Sequence, residues 1–62
     1  MDNVEKEITK EALQSEIEAY EMYTSMIEVT IDRELLRVLK HNRKEEQEHI
    51  KLLQRILRAE GE

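Results

Sequence analysis

The sequence predicts an all-α fold, an antiparallel two-helix hairpin that dimerises into a four-helix bundle. Three observations point there. The 62 residues contain no Pro, Phe or Trp and a single Gly, at position 61, so turn-building residues are almost absent. Apolar residues recur at helical spacing along two stretches of similar length. The chain is also too short for a self-sufficient core. A domain of this size hides only about 60% of the surface that its unfolded chain exposes, and it needs a staple. With no cysteine, disulfides and thiolate sites are excluded. A partner subunit or a metal remains.

The elements follow in order within one domain, residues 1–62. Asp2, with Glu5 three residues on, forms a capping pair that opens a helix over about 3–28. A turn over about 29–32 follows, and Asp32 caps a second helix over about 33–59. Gly61 is the stop signal. A connection this short lays the helices antiparallel. The residues themselves show no internal repeat.

Charge agrees with the pairing. Residues 1–31 carry eight acids and two lysines, a balance of −6, while residues 32–62 carry eight bases and seven acids, a balance of +1. The acidic first helix attracts the slightly basic second one. The overall charge of −5 argues against nucleic-acid or anionic-membrane partners. No apolar run approaches the ~18 residues of a membrane span. The opening Met-Asp-Asn-Val-Glu-Lys lacks the apolar stretch of a secretory signal, so a cytoplasmic location is the plain reading.

Residues placed at ~100° each around a helix axis define two core stripes. The first contains Ile8, Ala12, Leu13, Ala19, Tyr20, Tyr23, Met26 and Ile27, with Glu16 in its middle. The second contains Leu35, Leu36, Val38, Leu39, Ile50, Leu53, Ile56 and Leu57. Between Leu39 and Ile50 it has no apolar residue, and its inward positions are Asn42, Arg43, Glu46 and His49. In an antiparallel hairpin turning near Ile31, residues at one height have numbers that add to about 62, as Glu16 and Glu46 do. His49, one turn beyond Glu46, reaches the same level. Buried carboxylates need a cation or a proton.

A hairpin with an uncovered apolar face calls for a homodimer. If the symmetry axis passes near the cluster, four glutamates and two histidines meet. That is the ligand set of di-iron and di-manganese carboxylate bundles, one Glu from each of two helices and Glu-x-x-His from each of the others. The alternative for Glu16 and Glu46 is a polar layer that sets the register of a structural interaction hairpin. For His49 it is a satisfied, partly buried histidine. His41 points outwards as an ordinary surface residue.

Glu16-x-x-Ala19-x-x-x-Tyr23 followed by Glu46-x-x-His49 resembles the ferritin-like superfamily, more distantly its rubrerythrins and most closely the encapsulated ferritins. Those are half-size chains whose iron site forms on dimerisation. The thirty-residue interval from Glu16 to Glu46 and the Asp-x-Glu-Leu turn at Asp32–Leu35 agree, over roughly residues 8–58. The resemblance implies a ferritin-like bundle and a di-iron ferroxidase, an enzyme holding two Fe per dimer. Glu16 would be a terminal iron ligand, Glu46 a bridging carboxylate and His49 a nitrogen ligand. Tyr23 would orient a ligand across the dimer interface, or serve as a core residue beside Tyr20. Glu18 falls where the family places an acid on the metal's access path, although an ordinary surface role fits it better. A metal-binding module without turnover, holding Mn, Zn or Ca, is the alternative within the same fold.

The family also makes rings of dimers and docks inside an encapsulin shell by a C-terminal tag. This chain runs to Arg58-Ala59-Glu60-Gly61-Glu62, short of that tag and of the short helix before it. It is expected to be a truncated or minimal member, or one with another fate. Met22 is a candidate second contact, with ordinary surface packing preferred.

Overall fold

The computed structural model describes residues 1–61. It holds two helices of 27 residues, α1 (Asn3–Val29) and α2 (Arg33–Ala59). Their extents together, 45 × 14 × 12 Å, are those of two helices lying side by side. The hairpin is antiparallel. The cross-helix pairs Met1–Glu60, Tyr20–Arg43 and Glu16–His49 have numbers adding to 61, 63 and 65.

Local chemistry fixes each end. The Glu5 amide donates to the Asp2 carboxylate at 2.8 Å, and the Asp2 amide donates to Glu5 Oε1 at 3.0 Å, which closes a capping box. At the turn, Thr30 is extended, and its amide donates to the Ile27 carbonyl at 3.4 Å. Two residues on, Asp32 accepts from the Leu35 amide at 2.8 Å and starts α2. Glu34 in the first turn of α2 and Arg58 in its last complement the helix dipole. The chain leaves α2 at Gly61, whose φ of +83° suits a residue without a Cβ.

Packing between the helices is thin. Leu39 and Leu57, at 4% and 7% exposure, are the buried apolar residues among those described. Leu13, Tyr20, Ile27, Leu36, Ile50 and Leu53 are half-buried around them. The expected stripes are wider than the line along which two helices touch. Ile8 and Met26 of α1, and Leu35, Val38 and Ile56 of α2, therefore stay exposed although their spacing marks them as core. Met22 and Leu52 are exposed beside them. Ile8, Met22 and Met26 share one face of α1, and Val38, Leu52 and Ile56 share the matching face of α2, at identical intervals. The hairpin thus presents one face that is apolar towards both ends, with Ser15 and Glu45 at the same helical angle in its middle. Among the described residues, no helix is long and apolar enough to cross a membrane.

At the open end of the hairpin the Met1 ammonium hydrogen-bonds and ion-pairs with Glu60. That hydrogen bond, and then the ammonium charge, hold the Glu60 carboxyl below its ordinary value. A depressed folded value means that the contact contributes above the ordinary carboxylate range and is lost as the pH falls. Glu60→Gln should therefore lower thermal stability near neutrality and converge with the parent in acid. Equal melting curves at both pH values would refute the contact. Asp32→Ala should cost about 1 kcal/mol by removing the cap of α2, measured as a lower urea midpoint with unchanged slope.

Candidate metal centre

Glu16 lies thirteen residues from each end of α1, and Glu46 thirteen residues from each end of α2. The antiparallel register brings these two midpoints to one height. Each glutamate sits on the helix side turned towards its neighbour, and both are half-buried. His49, one turn after Glu46, approaches Glu16 across the gap, with Nδ1 3.5 Å from Oε2. One ligand atom from each of Glu16, Glu46 and His49 lies within 4.8 Å of the others. They are the three expected ligand positions.

The electrostatics of the cluster are incomplete. Glu16 Oε2 and Glu46 Oε2 are buried, and neither has a hydrogen-bond partner. An unsatisfied buried polar group costs about 1–3 kcal/mol, and more when it is charged. An imidazole at 3.5 Å does not relieve two carboxylates, and it carries charge only when protonated. Two hard oxygen donors and an imidazole nitrogen, converging without internal partners, suit a divalent first-row cation. The residues present fit such an ion. The His49 side chain is 53% exposed and that of Glu16 29%, so the cluster opens outwards on the His49 side. By helical spacing, that side carries Val38, Leu52 and Ile56.

A cation is already nearby, and it is engaged elsewhere. Arg43, in the polar gap of α2, lies over the Tyr20 ring at 5.9 Å from its centroid. Its Nη1 donates to Thr24 Oγ1 at 3.3 Å. A cation–π contact of this kind contributes about 0.5–1 kcal/mol. It also pins the two helices together one turn from the glutamates. Sequence reasoning placed Arg43 inwards without finding its partner. The matched heights of residues 20 and 43 were the available signal.

The remaining candidates stand apart from the cluster. Tyr23 is half-buried two turns beyond Glu16 on the same side of α1. Glu18 is exposed and accepts from Gln14 at 3.2 Å. His41 is exposed and pairs with Glu45 at 2.8 Å. Met22 is exposed at 52%, on the open apolar face.

A site with two uncompensated carboxylates should bind a cation more tightly when folded than when unfolded. Mn2+ at a hundredfold excess over its Kd should raise stability by about 2.7 kcal/mol, measured by thermal melting with and without the ion. Glu46→Gln should be at least as stable as the parent without metal and should lose this increment. An equal Mn2+ response in Glu46→Gln would place the binding elsewhere.

The sequence matches the EncFtn-like family over residues 2–62. No curated protein and no solved structure matches the chain. With all but the first residue inside the match, and with the two helices and the Glu-Glu-His cluster arranged as described, the chain belongs to the EncFtn-like family, related to encapsulated ferritin within the ferritin-like superfamily.

Proposed function

We propose that two hairpins join through their open apolar faces into a four-helix bundle, and that the centre they share binds ferrous iron as substrate and oxidises it. The observation that carries this reading is the pair of buried carboxylate oxygens without partners beside an imidazole, midway along the hairpin. The open face of Ile8, Met22, Met26, Val38, Leu52 and Ile56 supports association, because the cluster lies beside it and faces outwards there.

In this reading Glu16 and Glu46 of each chain supply hard oxygen donors, which favour the ferric state, and His49 supplies nitrogen. Four carboxylates against two divalent ions leave the centre close to neutral. That balance permits burial of charges which a single hairpin leaves uncompensated. Each Fe(II) loses one electron. Dioxygen taking up two electrons and two protons leaves as hydrogen peroxide, and peroxide serving as oxidant leaves as two waters. No side chain acts as nucleophile. By the family relationship, Glu16 would hold one iron and Glu46 would be shared between the two. Tyr23 orients a ligand from across the interface.

Storage of the oxidised iron requires a surrounding compartment, and the family relationship makes an encapsulin shell the natural one. The same donors accept Mn, Zn or Ca, so a module that holds metal without turnover is the competing use of the site.

Anaerobic Fe(II) titration followed by air decides between them. We expect ultraviolet absorbance from Fe(III) saturating at two irons per dimer, with oxygen consumed in step. Glu16→Ala, Glu46→Ala and His49→Ala should each slow oxidation by at least tenfold. Metal binding without oxygen consumption would leave only the binding module. Neither signal would leave a hairpin whose glutamates set register.

A further inference from the structure

In length, caps and midpoint the two helices obey an approximate local twofold relation that residue identities conceal. They have equal lengths, both are opened by an Asp cap, and both carry a glutamate at their midpoint. Because they run antiparallel, an axis perpendicular to them, passing between Glu16 and Glu46, carries each residue of α1 onto the residue thirty positions later. Ile8, Met22 and Met26 map onto Val38, Leu52 and Ile56, so the open apolar face obeys the same relation. Within the helices, only Lys10, Glu16 and Glu18 recur as identical residues, at 40, 46 and 48.

The symmetry breaks at one position of the cluster. His49 maps onto Ala19. His49 reaches across to Glu16, and the thirty-residue relation assigns residue 19 the corresponding place relative to Glu46. There the chain supplies a methyl group, so Glu46 has no imidazole opposite it from α1, while Oε2 of Glu16 and of Glu46 alike is buried without a hydrogen-bond partner. Glu46-x-x-His49 on α2 is thus answered by Glu16-x-x-Ala19 on α1.

We propose that Ala19 sets the reactivity of the centre by withholding the second imidazole, which keeps a position beside Glu46 open for a small exogenous ligand. The inference rests on the metal-centre reading above. Sites closed by protein donors hold metal structurally, whereas reactive sites keep a position free. An imidazole at residue 19 completes a second Glu-x-x-His one helical turn long and fills that position. Ala19 acts as a selectivity-determining gap, and it donates nothing itself.

The test uses the full chain, Co2+ as probe and azide as the small anion, read by the visible spectrum of bound Co2+. In the parent, azide should shift the spectrum. Ala19→His should bind Co2+ at least tenfold more tightly and lose the azide response. Ala19→Leu, which fills the space without offering a donor, should lose the azide response with no gain in affinity. Circular dichroism confirms that each variant is helical. An Ala19→His protein with parental Co2+ affinity and an intact azide response overturns the proposal. If that variant does not fold, an intact azide response in Ala19→Leu overturns it equally. A parent that binds no Co2+ overturns the metal-centre reading itself and this proposal with it, a result distinct from the other two.

Discussion

The constraint on which the rest of the structure depends is the placement of two carboxylates at the middle of a thin helical interface. Glu16 and Glu46 occupy stripe centres where leucine would serve a hairpin better, and each keeps a buried oxygen without a partner. Replacing such groups by apolar side chains is often neutral or stabilising. Their presence therefore costs folding energy in a protein with little to spare, since only Leu39 and Leu57 are buried apolar residues among those described. What compensates lies outside the cluster itself. Capping fixes the helix ends, Arg43 bridges Tyr20 and Thr24, and the Met1 ammonium meets Glu60 at the open end.

That arrangement ties incomplete packing to incomplete electrostatics. The face that lacks apolar cover is the face towards which His49 opens. A second hairpin would remove water from Val38, Leu52 and Ile56 and would bring a second set of donors to the same place. Neither gain is large alone. Apolar burial at about 25 cal/mol per Å² has to offset the entropy of association. A cation has to offset carboxylate desolvation. Under the proposed association, satisfying the two requirements at once would account for charged residues in the core stripe of a short chain without disulfides.

Much of this was legible in the residues. Asp2 with Glu5, and Asp32 ahead of a leucine-rich stripe, announce helix starts because side-chain capping is a local interaction. The hairpin register follows from the turn position, and that alone groups Glu16, Glu46 and His49. Other features required the fold. Ile8, Met26, Val38 and Ile56 read as core because periodicity reports which side of a helix is apolar, not how much of it one neighbour can cover. Arg43 read as an inward polar residue, and its seat on Tyr20 depends on a cross-helix distance. The relation between α1 and α2 is not legible as a sequence repeat, because it preserves lengths, caps and midpoints while changing nearly every side chain.

The most direct test of the central claim, that the centre exists only where two chains meet, is native mass spectrometry under anaerobic Fe(II) titration, since it counts chains and metal ions in the same particle. The account predicts a species of two 7.5 kDa chains carrying two iron ions, with iron-free protein in monomer–dimer exchange and iron shifting it to the dimer. Iron bound by isolated single chains, or dimers whose population and metal content do not respond to iron, would contradict it.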